Sequence, residues 1–442
     1  MISQNQKDIL YLALPIIIGQ LSQMVISITD AIMVGQLGYL QLASSSLMIS
    51  IISVPSFTCI GFTLLISSLV AAKRGQGQIE ECGNILYNSG IVILTITLFL
   101  VILLTTCFPL INYFGQNQDV IDLGRNFFIW ILWSLVPMIA FMSIKQFYDG
   151  LELTRIPMLI SSVSIILNLF LNFVFIYGWF GFKAYGLEGS GIASFITRIL
   201  MLCAIVIHAV NYKKLIEYGI LHFNLKIKLM REFVKLALPS SWQFTSEVAA
   251  FAVLAIIAGW YGPIQQASHQ IAITVAAFSY VIFVGLATAA SIKIGESFGK
   301  KDFNQIRIHG LDSIKISLSL ATLTIIILVL FRFEIAQIFN SDPMVVQISS
   351  TLLIYAAIFQ FSDSLQALGV GMLRGVQDIR IPTLYTTISY WIVGIPIGYI
   401  LADYFHLEVY GIWIGFIFCL STSAILLIYR FSKISNLTKA RN

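Results

Sequence analysis

Three acidic residues, Asp30, Glu247 and Asp363, interrupt long apolar stretches of this 442-residue sequence. An ionised aspartate near the centre of a membrane helix costs about 2.5–3.5 kcal/mol, and such acids usually face the bundle interior or a water-filled cavity. A carboxyl group in that position can exchange a proton or bind a monovalent cation. We therefore predict that the three acids couple a cation, with Glu247 and Asp363 as candidate Na⁺ ligands. The alternative is a structural acid that hydrogen-bonds within one lobe.

Polar side chains recur at helical spacing beside these acids. Residues three or four apart share one face of a helix, and four polar stripes follow this spacing. They are Gln20, Gln23, Ser27 and Asp30; Ser240, Gln243 and Glu247; Gln360 and Asp363; and Ser161, Ser164, Asn168 and Asn172. Such side chains can hydrogen-bond a carboxyl group or complete a Na⁺ shell; the alternative is helix–helix hydrogen bonding. We expect Asn168 and Asn172 to join the cation site, and Gln23, Gln243 and Gln360 to bind substrate together with Asp30.

Aromatic and basic residues in the apolar stretches offer further contacts. Phe57, Phe278 and Phe359 are candidates to line an apolar pocket that stacks on planar cations, although most phenylalanines in such a sequence pack internally or face lipid. Arg198 lies in the sixth apolar stretch. It either contacts an anionic substrate or pairs with an acid or carbonyl groups inside the N-terminal half, and we favour the pairing.

The composition specifies the environment of these residues. The chain is 58% hydrophobic and 11% charged, whereas soluble domains carry about 25% charged residues. A soluble, disordered or nucleic-acid-binding protein is thereby excluded, and an all-α integral membrane protein is predicted, because backbone groups in lipid must be satisfied internally. Twelve apolar runs fit the length of a membrane span. Their limits are 9–35, 46–72, 86–112, 122–148, 155–179, 185–211, 232–260, 266–296, 307–332, 344–373, 380–402 and 409–431.

The distribution of basic residues predicts the orientation. The odd-to-even connections contain Lys183 alone, whereas most of the 26 basic residues flank the even-to-odd connections and the two termini. That set is Lys7, Lys73, Arg74, Lys145, Arg155, Lys213, Lys214, Lys226, Lys228, Arg231, Lys235, Lys293, Lys300, Lys301, Arg307, Arg374, Arg380, Arg430, Lys433, Lys439 and Arg441. By the positive-inside rule, we expect both termini to be cytoplasmic, in a cell or inner membrane.

An internal repeat divides the chain. Leu14-Pro15 recurs as Leu238-Pro239 at a spacing of 224, and Arg155-Ile156-Pro157 recurs as Arg380-Ile381-Pro382 at a spacing of 225. Because each half holds six spans, both halves have the same orientation, with a pseudo-two-fold axis along the membrane normal; this is a transporter architecture. We predict an N-terminal lobe at 1–211, a solvated cytoplasmic linker at 212–231 and a C-terminal lobe at 232–442.

Signatures of enzymes are absent from the sequence. It contains no Walker A loop, HExxH, GxSxG or aspartate-rich metal pair, and its five cysteines form no CxxC pair. The cysteines are best interpreted as small buried apolar residues. We therefore predict a protein that is not an enzyme and that has no cofactor.

Six segments resemble one transporter family. They are LPIIIGQLSQMVISITDAIMVGQLG (14–38), LNLFLNFVFIYG (167–178), LPSSWQFTSEVAAFAV (238–253), ASHQIA (267–272), FSDSLQALGVGMLRGVQD (361–378) and SYWIVGIPIGYIL (389–401). In this order they resemble the NorM-like branch of the multidrug and toxic compound extrusion (MATE) transporters. The resemblance implies a MATE/MOP-like fold, with two six-helix lobes around a central cavity. Two departures are Phe359, where a tyrosine is often found, and an eighth span that lacks the expected proline.

The resemblance also implies a function. Asp30 and the two asparagines match the family's N-lobe cation site, and Glu247 and Asp363 match its C-lobe coupling acids. The implied activity is export of organic cations or drugs in exchange for Na⁺ or H⁺ by rocker-switch alternating access. The partners would be small organic cations, a monovalent cation and the bilayer, and we expect a monomer. The alternative is a flippase for lipids or lipid-linked oligosaccharides, whose anionic cargo would favour intramembrane Arg and Lys over acids.

Overall fold

The structure is a computed structural model that describes residues 3–114, 117–220 and 223–437. Twelve helices in this described part are long and apolar enough to cross a membrane. They are α1 (Gln4–Gly35), α2 (Tyr39–Gly75), α3 (Glu81–Tyr113), α4 (Gln118–Gly150), α5 (Arg155–Tyr177), α6 (Leu187–Asn211), α7 (Ile227–Gly259), α8 (Pro263–Gly299), α9 (Phe303–Leu330), α10 (Pro343–Gly375), α11 (Arg380–Asp403) and α12 (Glu408–Asn436). The protein is a multi-pass, all-helical membrane protein, which confirms the predicted fold class.

Several helices extend beyond the apolar runs that predicted them. Helix α2 begins at Tyr39 and α8 at Pro263, whereas their apolar runs begin at 46 and 266. Capping chemistry helps to define such ends: the Asp342 side chain accepts hydrogen bonds from the backbone N–H groups of Met344 and Val345 at the start of α10, beside Pro343 in the first turn. Apolarity therefore locates the spans, but polar caps and turns set where the helices begin.

Two spanning helices contain irregular turns. Helix α4 consists of the segments Gln118–Trp133 and Leu135–Gly150, with Ser134 between them. Helix α11 is α-helical over Arg380–Ile388 and Ile395–Asp403, with a π-helical turn at Ser389–Gly394 between these segments. Pro396, just after that turn, has no N–H to donate to the preceding helical turn, and π turns are frequent at functional sites. Both irregular turns contribute residues to the candidate sites described below.

The helices pack into two compact units. The N-terminal unit comprises Ile18–Ser241, and the C-terminal unit comprises Met1–Ile17 together with Trp242–Asn442. The division falls inside α1 and α7, close to Pro15 and Pro239, so each unit takes the beginning of one helix and the remainder of its repeat counterpart. The lobe limits 1–211 and 232–442 and the orientation of the termini stay predictions, and the basic residues Lys439 and Arg441 lie outside the described residues.

Close helix contacts hold the C-terminal unit together. In lipid, helices associate through packing and hydrogen bonds rather than through water exclusion, and small residues permit close approach. A Cβ added at Gly371 of α10 would lie 2.4 Å from the backbone oxygen of Ala287 on α8, and one added at Gly375 would lie 2.8 Å from that of Ser291. The GxxxG spacing at 371–375 therefore marks a contact in which α8 and α10 approach to backbone distance.

The connection between α6 and α7 is anchored in its described part, rather than merely solvated as predicted. The Asn88 side chain on α3 donates to the backbone oxygen of Asn224 at 2.9 Å and accepts from the Lys226 N–H at 2.8 Å. Lys226 Nζ also pairs with Glu81 Oε1 at 2.8 Å. Polar side chains at one end of α3 thus supply the hydrogen bonds that an extended backbone otherwise obtains from water.

The locations of Lys145 and Asp149 in the structure differ from those predicted from the sequence. From the sequence, Lys145 is counted with the basic residues that flank a connection and the fourth span ends at 148, before Asp149, but both residues lie in α4. Lys145 Nζ and Asp149 Oδ2 are 2.7 Å apart, and both side chains are buried. Each charge compensates the other, which is the usual condition for burying an ionised group. Their spacing of four, which puts them on one helix face, is the signal that this prediction overlooked.

Candidate cation sites

The C-terminal unit brings together two of the predicted acids. Glu247 on α7 and Asp363 on α10 are both buried, and they interact electrostatically with each other. Tyr280 on α8 donates its hydroxyl to Glu247 Oε1 at 3.1 Å. The carboxylates are thus held by three helices, two of which meet at the backbone contact of Gly371. Tyr280 escaped the sequence analysis because a tyrosine in an apolar helix carries no signal that separates a ligand from a packing residue.

Other side chains complete the surroundings of Glu247. Gln366 on α10 and Tyr390 on α11 face this carboxylate, and Arg374 interacts with it electrostatically. Tyr390 lies in the π-helical turn, and the next residue, Trp391, donates its indole N–H to Ser246 Oγ at 2.8 Å. The irregular turn therefore directs two consecutive aromatic residues to two consecutive positions of α7.

The two acids could carry more negative charge than the neighbouring arginine can balance. Arg374 interacts electrostatically with Glu247, whereas Asp363 interacts electrostatically with Glu247, which is a like charge. Burying two like charges without full compensation is costly. The arrangement therefore favours a proton or a monovalent cation at the pair.

The predicted glutamines of this unit are buried beside the acids. Gln243 lies one turn before Glu247, and Gln360 lies three residues before Asp363. Within the described part of the chain, Gln243 Nε2 and both amide atoms of Gln360 have no hydrogen-bond partner. Buried amides are normally satisfied by protein, water or ligand, so these atoms can hydrogen-bond a further molecule.

The N-terminal unit brings together the other predicted set. Asp30 Oδ1 accepts a hydrogen bond from Asn172 Nδ2 at 2.6 Å, and the same Nδ2 donates to Asn168 Oδ1 at 3.2 Å. Asp30 Oδ2 accepts from Ser194 Oγ on α6 at 2.8 Å. Both asparagines are buried, whereas Asp30 is partly exposed. Each oxygen of the carboxylate therefore accepts one hydrogen bond, from Asn172 and from Ser194.

Small residues and helix register explain how Ser194 reaches Asp30. A Cβ added at Gly189 of α6 would lie 2.2 Å from the backbone oxygen of Phe175 on α5, so the two helices approach closely there. Ser194 contacts Asp30, and two turns later Gln23 Nε2 lies 3.9 Å from Met201 Sδ. Helix α6 thus runs antiparallel to α1 with these contacts on one face.

Arg198 lies on that same face of α6. Its Nη1 donates to Ser134 Oγ, at the irregular turn of α4, and its guanidinium interacts electrostatically with Asp30. Among the described residues it forms no direct ion pair with an acid. Arg198 thus lies within one unit and near an acid, but it bonds to a serine hydroxyl rather than forming the direct pairing that the sequence favoured.

The three candidate phenylalanines are distributed over the two units. Phe359 is buried in the core of the C-terminal unit and stacks on Trp413, with ring centroids 5.5 Å apart. Phe278 lies on α8 of the same unit and is 36% exposed. Phe57 belongs to α2 of the N-terminal unit. Of the two phenylalanines in the C-terminal unit, Phe278 is the one with an accessible ring.

Metal-binding clusters are not found in the described residues, where no three His, Cys, Asp or Glu side chains group together. The acid pair supplies two carboxylates, and a Na⁺ ion there would need hydroxyl or amide oxygens in addition. Gln366 and Tyr390, which face Glu247, could supply such oxygens.

A family model matches both halves of the chain. The model for MatE covers residues 15–174 and 239–400. The chain belongs to the MatE family. The two matched segments coincide with the two copies of the internal repeat; the first contains Asp30 and the two asparagines, and the second contains the acid pair. MatE proteins are transporters rather than enzymes, which agrees with the absence of enzyme signatures in the sequence.

Curated relatives of this MatE protein match it over nearly the full length. It is 30% identical over 433 residues to the probable multidrug resistance protein NorM of Bacillus cereus, with 97% of this chain and 95% of the relative covered. It is 28% identical over 433 residues to the multidrug resistance protein NorM of Photobacterium profundum, with the same coverage. The predicted resemblance to the NorM-like branch is therefore confirmed.

Solved structures share the fold. The eukaryotic MATE transporter AtDTX14 matches with a TM-score of 0.89 and 21% identity over 99% of each chain. A MATE structure described as being in a bent conformation matches with a TM-score of 0.90 and 20% identity, covering 99% of this chain and 97% of that one. These similarities confirm the MATE fold for the chain.

Proposed function

We propose that this MatE-family protein is a secondary active antiporter that exports organic cations or drugs from the cytoplasm in exchange for Na⁺ or H⁺. The observation that carries the proposal is the buried pair Glu247 and Asp363, whose negative charge exceeds that of the arginine near it. A site of this kind needs a cation, and the cation must be able to leave. The names of the NorM relatives as multidrug resistance proteins support organic compounds as the cargo.

The residues divide between the two tasks. Glu247 and Asp363 would bind the coupling cation, with Tyr280 holding Glu247. Asp30, assisted by Asn168 and Asn172, would offer a second carboxylate to a cation or to a charged substrate. The remaining predicted substrate contacts are Gln23, Gln243, Gln360, Phe57, Phe278 and Phe359; of these, Phe359 would act through core packing, since its ring is buried.

Competition for carboxylates would link the two fluxes. A carboxylate neutralised by the coupling cation cannot also neutralise an organic cation, so cation binding from outside would release the substrate. Loss of the cation to the cytoplasm would restore the site. We propose that the access change is a rocking of two lobes, 1–211 and 232–442, joined at 212–231, in a monomer whose two termini are cytoplasmic and which resides in the inner membrane.

The test uses the purified protein in lipid vesicles with a fluorescent organic cation, first under a Na⁺ gradient and then under a pH gradient. Transport that follows either gradient supports the antiporter and identifies its coupling ion. A parallel assay with a fluorescent anionic lipid examines the flippase alternative. Lipid translocation without gradient-driven transport of the organic cation would contradict the proposed function.

A further inference from the structure

The charge environment of Asp30 differs from that of the acid pair. Among the residues described in the N-terminal unit, Arg198 is the one cation that interacts electrostatically with Asp30, and Asp30 is the one acid that interacts with Arg198. The site therefore combines one carboxyl group with one guanidinium group. The C-terminal site has two acids against Arg374.

Geometry holds the guanidinium near Asp30 but not against it. Arg198 follows Ser194 by one turn on α6 and precedes Met201 by three residues, and these two neighbours contact Asp30 and Gln23 of α1. Arg198 therefore shares the face of α6 that contacts α1. Its donation to Ser134 Oγ at the α4 turn ties the charged end to a third helix.

The internal repeat supports a role specific to this half. At the repeat spacing of 225, the position equivalent to Arg198 is occupied by Ser423 of α12. Ser423 is buried and, within the described residues, its hydroxyl has no partner. Packing at this position of the repeat thus does not require a guanidinium. A role in binding an anionic substrate is disfavoured because Asp30 would repel the same anion.

We propose that Arg198 is a tethered counter-ion of Asp30, which weakens the binding of external cations at this carboxylate and so permits their release. This inference rests on the proposed function, in which Asp30 meets a cationic substrate or the coupling cation. An arriving cation must share Asp30 with a fixed positive charge that already interacts with this carboxylate. Arg198 acts through Asp30 and is a positioning and specificity residue rather than a direct ligand.

The test measures equilibrium binding of tetraphenylphosphonium and of radioactive Na⁺ to the full-length protein purified in detergent. With R198Q we expect tetraphenylphosphonium to bind roughly tenfold more tightly, which is the order of effect of removing one partly screened charge at this range. We also expect R198Q to bind more Na⁺. The gain must disappear in the D30N background, so D30N and the double variant D30N/R198Q should bind equally.

Two further variants make the result specific. R198K keeps the charge and should restore binding to within about twofold of the original protein, whereas a purely structural arginine would not be replaced by lysine in this readout. R198M offers a neutral side chain suited to an apolar environment, and it should reproduce the R198Q result if the glutamine variant does not fold.

The outcomes separate this inference from the proposed function. No change in affinity in R198Q and R198M, or the same change in the D30N background, overturns the counter-ion role. If no form of the protein binds tetraphenylphosphonium, the proposed substrate class fails. The Na⁺ measurement then tests the inference by itself. An increase in Na⁺ binding by R198Q that D30N abolishes supports the inference, and unchanged Na⁺ binding contradicts it.

Discussion

At the scale of single residues, several charged side chains lie near a side chain of opposite charge in the same compact unit. Lys145 and Asp149 compensate each other along α4, and Asp30 has Arg198 and two neutral donors. Glu247 and Asp363 differ because the two acids interact with each other, and Arg374 interacts with Glu247 but is not among the partners of Asp363 in the described part of the chain. The uncompensated charge at this pair gives a physical reason for assigning cation coupling to the C-terminal unit.

The hydroxyl of Tyr280 should set how tightly the coupling cation binds. Y280F removes a donor to the ionised Glu247 and keeps the ring, and a hydrogen bond to a charged group contributes about 1.5–3 kcal/mol. The cation-free form loses this bond, so we expect the coupling cation to bind about tenfold more tightly and to be released more slowly. The cation concentration for half-maximal release of a fluorescent substrate measures this.

A matched control for Y280F is Y355F. Tyr355 lies two turns before Asp363 on α10, and its ring packs on Tyr410, with centroids 5.9 Å apart. The same loss of a hydroxyl there should leave the half-maximal cation concentration unchanged. Equal behaviour of Y280F and Y355F would remove Tyr280 from the site.

The Lys145–Asp149 pair should be structural. K145M leaves Asp149 as an unpaired buried charge, which costs about 3–5 kcal/mol, and we expect a clear fall in the melting temperature of the protein in detergent. The double variant K145M/D149L removes both charges and should recover most of the loss. A double variant as unstable as K145M would show that the pair has another role.

The three acids could be identified from the sequence, but the side chains that hydrogen-bond to them could not. Asp30, Glu247 and Asp363 were recognisable because a charge in an apolar run is costly, and Asn168 and Asn172 because two amides share a helix face. Ser194 and Tyr280 were not, because hydroxyl side chains are common in membrane helices and gain meaning only from the helix that faces them. Asp149 was missed because the predicted fourth span ends at 148.

At the scale of helices, backbone-distance contacts position the C-terminal site. Helix α8 carries Tyr280 and α10 carries Asp363, and Gly371 lets these helices meet near Ala287. G371A would place a methyl group 2.4 Å from a backbone oxygen, and overpacking of this kind costs about 1–3 kcal/mol. We expect a lower melting temperature and weaker coupling of transport to the cation gradient.

The control for G371A is the same substitution in an open helix. Gly90 of α3 has nothing within 4 Å of an added Cβ, and alanine favours helix over glycine by about 1 kcal/mol. G90A should therefore leave the melting temperature unchanged or raise it. A G371A protein that behaves like G90A would refute the packing argument.

The anchored connection between α6 and α7 should resist proteolysis through Asn88. N88A removes the side-chain hydrogen bonds to Asn224 and Lys226, each of which contributes about 1 kcal/mol. Local opening should become roughly tenfold more frequent, and trypsin should cleave faster at the lysines of 213–228. N126A, which loses a contact with Glu188 instead, should not change that rate; equal rates for both variants would contradict the anchoring.

The number of helices was predictable from the sequence, but the irregular turns inside them were not. Each of the twelve apolar runs corresponds to one spanning helix in the described chain, because the length of an apolar run reports the bilayer directly. The π turn at Ser389–Gly394 had no such signal, since Pro396 is compatible with several local geometries. The turn matters because it directs Tyr390 to Glu247.

At the scale of the whole molecule, the two halves share a repeat but not a chemistry. Leu254 of the second half stands at the position equivalent to Asp30, and Gln23 of the first half at that of Glu247. The repeat was visible in the sequence, but the compact units divide inside α1 and α7, which contacts alone reveal. Two similar scaffolds thus carry one compensated and one uncompensated acidic site.

Cation coupling through the acid pair is tested by gradient-driven substrate accumulation in vesicles that contain D363N. D363N removes one charge of the acid pair with little change in shape, and D30N serves as the matched variant in the other unit. We predict that D363N inserts and folds normally but no longer accumulates a fluorescent organic cation under the gradient that drives the original protein. Accumulation by D363N at the original rate would contradict the account.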